Sequence, residues 1–202
     1  MTFSNKATGR RACLAIATLA LLAGQAWAQG TAAAPKVRFA TSAGEFVVEV
    51  YPDKAPKTVA NFLQYVRDKH YDGTVFHRVI DNFMIQGGGF DASYAQKPTR
   101  PPVVHEGREA LAKGGDKNVV GTLAMARTND PDSASSQFFI NVRDNDFLNP
   151  SAQSPGYTVF GKVVSGMAVV NKIKATPTGP GGPFPSDVPR TPILINSATL
   201  VK

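Results

Sequence analysis

Cysteine is almost absent from this sequence of 202 residues, where Cys13 is the only one. A single thiol cannot close an intramolecular disulfide, so the chain is not a disulfide-bonded scaffold and its stability must come from a hydrophobic core. The three histidines, His70, His77 and His105, form no close pair, and a zinc site therefore lacks support. A Gly-x-Ser-x-Gly motif is also missing, which argues against a serine hydrolase.

Long apolar runs are missing as well. The run Ala12–Ala23 is shorter than the about 20 residues that a membrane-spanning helix requires. It follows three basic residues and precedes Ala26-Trp27-Ala28, and this order is typical of a secretory signal peptide with a small-x-small cleavage site. We therefore predict a signal peptide over residues 1–28, cleaved after Ala28, with an amphipathic or membrane-spanning helix as the alternative. The basic residues are Lys6, Arg10 and Arg11.

The formal charge of +7 depends in part on this N-terminal segment. Cleavage after Ala28 removes three basic residues and no acidic one, which leaves 174 residues with a charge of +4 and no basic block. The argument for a nucleic-acid partner is correspondingly weak. Cys13 is lost too, and a mature chain without cysteine suits an oxidising compartment. The remaining length is enough for one domain with its own core.

The mature chain opens with an Ala-rich tail, residues 29–36, and continues with a predicted β-hairpin. Residues 37–50 are rich in β-branched and aromatic side chains on either side of Gly44. From Pro56 to about Lys69 the apolar residues recur at helical spacing, which predicts an amphipathic helix with proline in its first turn. A second helix is predicted at about 165–174.

Short strands are predicted for most of the remaining apolar segments. Because these strands do not alternate with helices, a closed antiparallel barrel or a sandwich is favoured over a doubly wound parallel sheet. Residues 176–191 are rich in proline and glycine and predict a long loop. The apolar segments are Thr74–Ile80, Phe83–Gln86, Val119–Ala126, Gln137–Val142, Tyr157–Val164 and Pro192–Val201.

An arginine interrupts the first of these apolar strands. Period-two alternation places Arg78 with Phe76 and Ile80, and His77 on the opposite face. A guanidinium among apolar side chains is costly unless it is paired or lies at the lip of a ligand site. The alternative is an arginine whose charged end reaches solvent at a sheet edge.

Two later strands strengthen the interpretation as a ligand site. Met84 and Gln86 share one strand face and precede three glycines, which allow a close approach of the backbone. In residues 137–142, Phe138 and its period-two neighbours predict the core face. Phe139 lies on the other face between two amides, Gln137 and Asn141, an arrangement typical of a binding surface, although a phenylalanine considered alone is more often part of the core.

Four blocks of residues follow one another along the chain: Phe76-His77-Arg78-Val79-Ile80, Phe83-Met84-Ile85-Gln86-Gly87-Gly88, Ser136-Gln137-Phe138-Phe139-Ile140 and Phe160-Gly161-Lys162-Val163. Together they resemble the cyclophilin family of peptidyl-prolyl cis/trans isomerases, and the likeness extends over about Val37–Val201. With the signal segment, the chain is most similar to the bacterial periplasmic branch. The resemblance implies a mainly β fold over residues 37–202: a closed eight-stranded antiparallel β-barrel capped by two α-helices.

The resemblance also implies a site. Arg78 matches the catalytic arginine, His77 the histidine beside it and Gln86 the amide that steadies the arginine. Phe83, Met84 and Phe139 match the pocket for the proline ring. Further peptide-binding positions are matched by Ala126, Gln137, Phe147, Leu148 and Tyr157.

Three positions depart from many eukaryotic members of the family. Phe147 replaces a tryptophan, Tyr157 replaces a histidine and Arg127 replaces an asparagine. Because phenylalanine lacks the indole N–H, we expect the family's inhibitor cyclosporin to bind weakly, while turnover is largely spared.

The expected activity is rotation about X–Pro bonds in unfolded or exported proteins, without a metal or organic cofactor. The mature protein is expected to be a periplasmic monomer whose partners are proline-containing peptides and unfolded client proteins. We expect no nucleic-acid partner and no stable membrane association after cleavage. One alternative is a secreted peptide-binding chaperone that uses the same groove without turnover. A nucleic-acid-binding barrel would need a basic stripe between exposed aromatics, and no such cluster surrounds Arg78.

Overall fold

The structure is a computed structural model that describes residues 33–201. The predicted signal peptide and most of the predicted tail lie outside the described residues. The described chain contains three α-helices, namely α1 (Pro56–Arg67), α2 (Gly107–Ala112) and α3 (Met167–Lys174). Its strands are β1 (Lys36–Thr41), β2 (Gly44–Val50), β3 (Thr74–Val75), β4 (Arg78–Ile80), β5 (Met84–Gly87), β6 (Thr122–Met125), β7 (Phe138–Asn141), β8 (Val159–Ser165), β9 (Thr178–Gly181), β10 (Phe184–Pro189) and β11 (Leu194–Val201).

The predicted hairpin is confirmed as β1 and β2, which pair antiparallel with Phe39 opposite Phe46. The two rings stack with centroids 5.0 Å apart and belong to the main core. Gly44 closes the turn with φ +132°, and a Cβ at this position would meet Val169 of α3 at 2.8 Å. Both facts favour glycine over any other residue at the turn.

Nine strands form one curled antiparallel sheet in the order β3-β11-β1-β2-β8-β6-β7-β5-β4. Its two ends, β3 and β4, are successive parts of the single segment 74–80, separated by Phe76 and His77. Both ends of the sheet therefore lie in this one segment. If β3 and β4 are counted together, the sheet is made of eight stretches of chain. The predicted mainly β, antiparallel architecture is confirmed.

Helices α1 and α3 contribute their apolar faces to the main core. Val59, Phe62 and Val66 of α1 are buried, and so are Val170 and Ile173 of α3. Helix α1 begins at Pro56, as predicted, and ends two residues before the predicted Lys69. Among the described residues no helix is long and apolar enough to cross a membrane.

The structure corrects two predictions. It adds α2 to the two predicted helices, because this helix has only six residues and too few turns for its periodicity to stand out. It also replaces the predicted loop 176–191 with a hairpin of β9 and β10. Few residues of these strands pair directly, and Val188, only 2% exposed, anchors the hairpin by burial. Because proline and glycine are unfavourable inside strands, residue propensities do not predict a hairpin in this segment.

Candidate active site

A half-open cavity of about 370 Å³ lies on the outer face of the sheet, where β4, β5 and β7 are neighbours. It brings together ten of the eleven predicted site residues. Three side chains that sequence reasoning did not assign to the site also line it: Phe90, Arg127 and Phe184. The ten predicted residues are His77, Arg78, Phe83, Met84, Gln86, Ala126, Gln137, Phe139, Leu148 and Tyr157.

The floor of the cavity is a small apolar cluster separate from the main core. Met84 and Phe139 are 2% and 4% exposed, and Leu148 closes one side. Tyr157 meets Phe139 edge to face, with centroids 5.5 Å apart. Phe138 and Ile140 point to the main core instead, as the alternation predicts. Phe139 is thus buried and at the same time forms part of the cavity wall.

Arg78 lies at the lip of this cavity with 45% of its side chain exposed. It stands opposite Gln86 in the β4–β5 ladder. The strand is interrupted at Phe76 and His77, so the predicted alternation is wrong here: Phe76 and Val79 both enter the main core, while His77 and Arg78 both reach the cavity. Period-two reasoning fails because residues 76–77 leave the strand geometry on which it depends.

His77 is only 3% exposed. Its ring packs against both Phe90 and Phe184, at centroid distances of 4.7 Å and 5.4 Å, and its Nδ1 has no hydrogen-bond partner among the described residues. Burial, together with the positive charge of Arg78, lowers the pKa of His77 from 6.5 to about 4. At neutral pH the site therefore holds an uncharged imidazole beside a charged guanidinium.

Two glutamines form a polar wall of the cavity. Gln86 Nε2 donates a hydrogen bond of 2.9 Å to Gln137 Oε1. Gly89 leaves room for this pair, because a Cβ at this position would overlap the Gln137 side chain. Gly88 has φ +85°, a conformation that glycine adopts readily. Gly88 and Gly89 thus allow the close approach of the backbone that the sequence predicts.

Asn141 does not face the cavity, contrary to the sequence interpretation. It is fully buried and donates to Thr122 Oγ1 at 3.0 Å and to Asn118 Oδ1 at 3.2 Å. Its own Oδ1 accepts a 2.7 Å bond from Asn145, which also donates to the carbonyl oxygen of Phe83. A buried amide requires such partners, and here they tie Asn145, two residues before Phe147, to the end of β7 and to Phe83, the residue before β5.

Phe147 is the one predicted site residue that does not line the cavity. It is 71% exposed and stacks on Phe83 at a centroid distance of 5.7 Å, so it extends the apolar rim outward. Arg127, by contrast, lies 4.6 Å above the Tyr157 ring and donates to the carbonyl oxygen of Gly156. Two of the three departures from eukaryotic members therefore contact each other. The expectation of weak cyclosporin binding stays a prediction.

Asp187 is a further residue of this region that sequence reasoning missed. Its Oδ2 lies 3.8 Å from Arg78 Nε. It belongs to the segment predicted as a loop, and no local pattern indicates that this segment folds back over β4. Among residues 33–201, no group of three or more His, Cys, Asp or Glu side chains could hold a metal ion.

The sequence and the fold were compared with known proteins. A family model described as "Cyclophilin type peptidyl-prolyl cis-trans isomerase/CLD" matches residues 36–200. Peptidyl-prolyl cis-trans isomerase B of Escherichia coli (strain K12) is 52% identical over 167 residues, which cover 81% of this chain and 98% of that protein. Peptidyl-prolyl cis-trans isomerase A of Dickeya dadantii is 45% identical over 193 residues, covering 96% of this chain and 98% of that protein.

Solved structures of the same kind resemble the fold. A cyclophilin-type peptidyl-prolyl cis-trans isomerase of Cryptosporidium parvum aligns with a TM-score of 0.67 at 25% identity and covers 84% of this chain and 98% of that one. A second crystal structure of that protein, obtained in the presence of the dipeptide Ala-Pro, aligns with a TM-score of 0.65 and covers 83% of this chain and 99% of that one.

Proposed function

Because this chain belongs to the cyclophilin-type peptidyl-prolyl cis-trans isomerase family, we propose that Arg78 at the lip of the cavity carries its isomerase activity. The chain binds proline-containing peptides and accelerates rotation about X–Pro bonds. The role of Arg78 is supported by the position of its charged, half-exposed guanidinium beside an apolar floor made by Met84 and Phe139.

The barrier to this rotation is electronic. Twisting the amide destroys resonance and costs about 18–20 kcal/mol, so the uncatalysed reaction takes tens of seconds or more. The twisted amide has a lone pair on the proline nitrogen that is a better hydrogen-bond acceptor than in either planar state. A donor fixed near this nitrogen stabilises the transition state more than the cis or trans ground state, and no covalent bond needs to form.

Arg78 is suited to this role because its guanidinium is charged at all relevant pH values and donates in a fixed plane. Phe83, Met84 and Phe139 would hold the proline ring and displace water, which strengthens a hydrogen bond made at the lip. Gln86 and Gln137 offer amide groups to the peptide backbone beside the ring. His77 is neutral and packs against two aromatic rings, so it shapes the wall behind Arg78 rather than transferring protons.

The experiment is substitution of Arg78. We expect Arg78→Ala to lower turnover of a short X–Pro peptide at least about tenfold, which corresponds to about 1.4 kcal/mol of lost transition-state stabilisation. Arg78→Lys should be nearly as slow, because an ammonium group does not reproduce the planar fork. Arg38→Ala, which removes an exposed arginine of β1 paired with Glu45, is the matched control.

Two results would contradict the proposal. A folded Arg78→Ala protein with unchanged turnover excludes Arg78 as the catalytic donor. If that protein also retains peptide affinity and suppresses aggregation of an unfolded client, the peptide-binding chaperone is the better interpretation. Circular dichroism and peptide titration of each variant separate these cases from unfolding.

We also propose the biological setting. The basic, apolar and small-x-small segments of residues 1–28 support export, so the clients would be unfolded or newly exported proteins of the periplasm. In this proposal the mature chain is a monomer made of a tail, residues 29–36, and one isomerase domain, residues 37–202.

A further inference from the structure

The hairpin of β9 and β10 is fixed against the active site by one aromatic side chain. Phe184 of β10 packs against His77 and meets Phe90 edge to face, with centroids 5.1 Å apart. Val188, further along β10, is buried. The hairpin is therefore anchored at two points, on either side of the segment 185–187.

Between these anchors the β9–β10 pairing is interrupted. Phe184 pairs with Gly181 and Val188 with Gly179, so residues 185–187 form a bulge with no partner in β9. Asp187 has φ +65° there, a left-handed conformation that aspartate and asparagine tolerate better than most residues. Bulges of this kind redirect a side chain, and backbone strain at a functional site is commonly held in place by the surrounding packing.

The redirected side chain reaches Arg78. Asp187 Oδ2 lies 3.8 Å from Arg78 Nε, and the two side chains are 35% and 45% exposed. Within residues 33–201 the Arg78 guanidinium makes no hydrogen bond, and its ion-pair partner there is Asp187. Gln86, its cross-strand neighbour, donates to Gln137 instead.

We propose that Asp187, carried by the bulge of β10, is a positioning residue that holds the Arg78 guanidinium in the orientation used for isomerisation. This inference rests on the proposed role of Arg78. A half-exposed ion pair is weak in the free protein because water screens it. A bound peptide covers the cavity and displaces that water, so the attraction grows when the guanidinium must be held still.

The test is Asp187→Asn, which keeps the size of the side chain and its tolerance of positive φ but removes the charge. We expect turnover at saturating peptide to fall about threefold to tenfold, while the KM changes less than about twofold, because the effect arises in the bound state. Asp81→Asn is the matched control. It removes a carboxylate that pairs with Lys174, only three residues from Arg78 in the sequence.

A double-mutant cycle shows whether Asp187 acts through Arg78. In an Arg78→Ala background, Asp187→Asn should cause no further loss of turnover. The Nε–H resonance of Arg78 in a nitrogen-proton NMR spectrum should shift in Asp187→Asn and stay in place in Asp81→Asn. A change that affected packing alone would lower turnover equally in both backgrounds.

Three results overturn the inference: unchanged turnover in Asp187→Asn, a change confined to the KM, or an equal loss with and without Arg78. If any of these occurs while Arg78→Ala is slow, the positioning role fails and the proposed function stands. If Arg78→Ala turns over like the unsubstituted protein, the proposed function fails and the role of Asp187 fails with it.

Discussion

His77 and Arg78 are adjacent in the chain but differ in their access to water. The imidazole is buried against two aromatic rings, whereas nearly half of the arginine side chain is exposed. Desolvation opposes a charge on His77, and the nearby guanidinium opposes it further. The only charge that this pair of residues presents to a peptide is therefore that of Arg78.

The depressed pKa of His77 predicts a loss of stability in mild acid. The unfolded chain takes up this proton near pH 6.5, whereas the folded protein resists it down to about pH 4. The contribution of His77 to the free energy of unfolding is therefore complete above about pH 6.5. It falls by up to about 3 kcal/mol as the pH drops toward 4. Urea unfolding of the protein and of His77→Phe, measured at pH 7 and at pH 5, checks this prediction.

Comparing the two proteins isolates the effect of His77 on the pH dependence of stability, because both proteins have the same carboxylates. His77→Phe should lose less stability between pH 7 and pH 5 than the unsubstituted protein. Equal losses would show that His77 is readily protonated in the fold.

Some residues of the site are predictable from the sequence and others are not. Phe139 of β7 and Gln137, the residue directly before that strand, follow from alternation and both line the cavity. Asn141 belongs to the same alternation but is buried at the end of the strand, where Asn118, Thr122 and Asn145 come from other segments. A local pattern contains no information about Asn118 and Thr122, which are 23 and 19 residues away in the sequence.

At the scale of elements, α1 depends on a carboxylate from another part of the chain. The residue before Pro56 provides no side-chain cap. Glu106, 2% exposed, instead accepts bonds from Lys57 N at 3.1 Å and from both Thr58 N and Thr58 Oγ1 at 2.7 Å. A carboxylate at this end satisfies free N–H groups and complements the helix dipole.

We predict that Glu106→Ala lowers the free energy of unfolding by about 2–4 kcal/mol, because it leaves buried donors without an acceptor. Glu109→Ala, which removes an exposed carboxylate of α2, should change it by less than about 0.5 kcal/mol. Denaturant titration of both variants measures the difference. Equal stabilities would show that water replaces the Glu106 carboxylate at the start of α1.

The elements differ in how well the sequence predicts them. Helix α1 and the β1–β2 hairpin follow from local periodicity and turn residues, and both are found as predicted. The β9–β10 hairpin is held by Phe184, which packs against His77, and by the burial of Val188. Because its strands contain proline and glycine, composition alone predicts a loop. The position of Asp187 beside Arg78 depends on this hairpin and is therefore not predictable from the sequence pattern either.

At the scale of the whole molecule, the matched fold covers only part of the chain. The sheet begins at Lys36, and the family match covers residues 36–200. Isomerase A of Dickeya dadantii aligns over 96% of this chain, so its similarity extends into the N-terminal segment as well.

The sequence of the N-terminal segment leads to a prediction about export. When the full chain is produced in a Gram-negative bacterium, we expect the isomerase in the periplasmic fraction with Gln29 as its first residue, because Ala26 and Ala28 provide the small side chains that signal peptidase requires. Mass spectrometry of that fraction measures the new terminus. Ala28→Asp should leave the segment attached and the chain associated with the membrane. Full-length protein that is active in the cytoplasmic fraction would contradict both the signal peptide and the periplasmic setting.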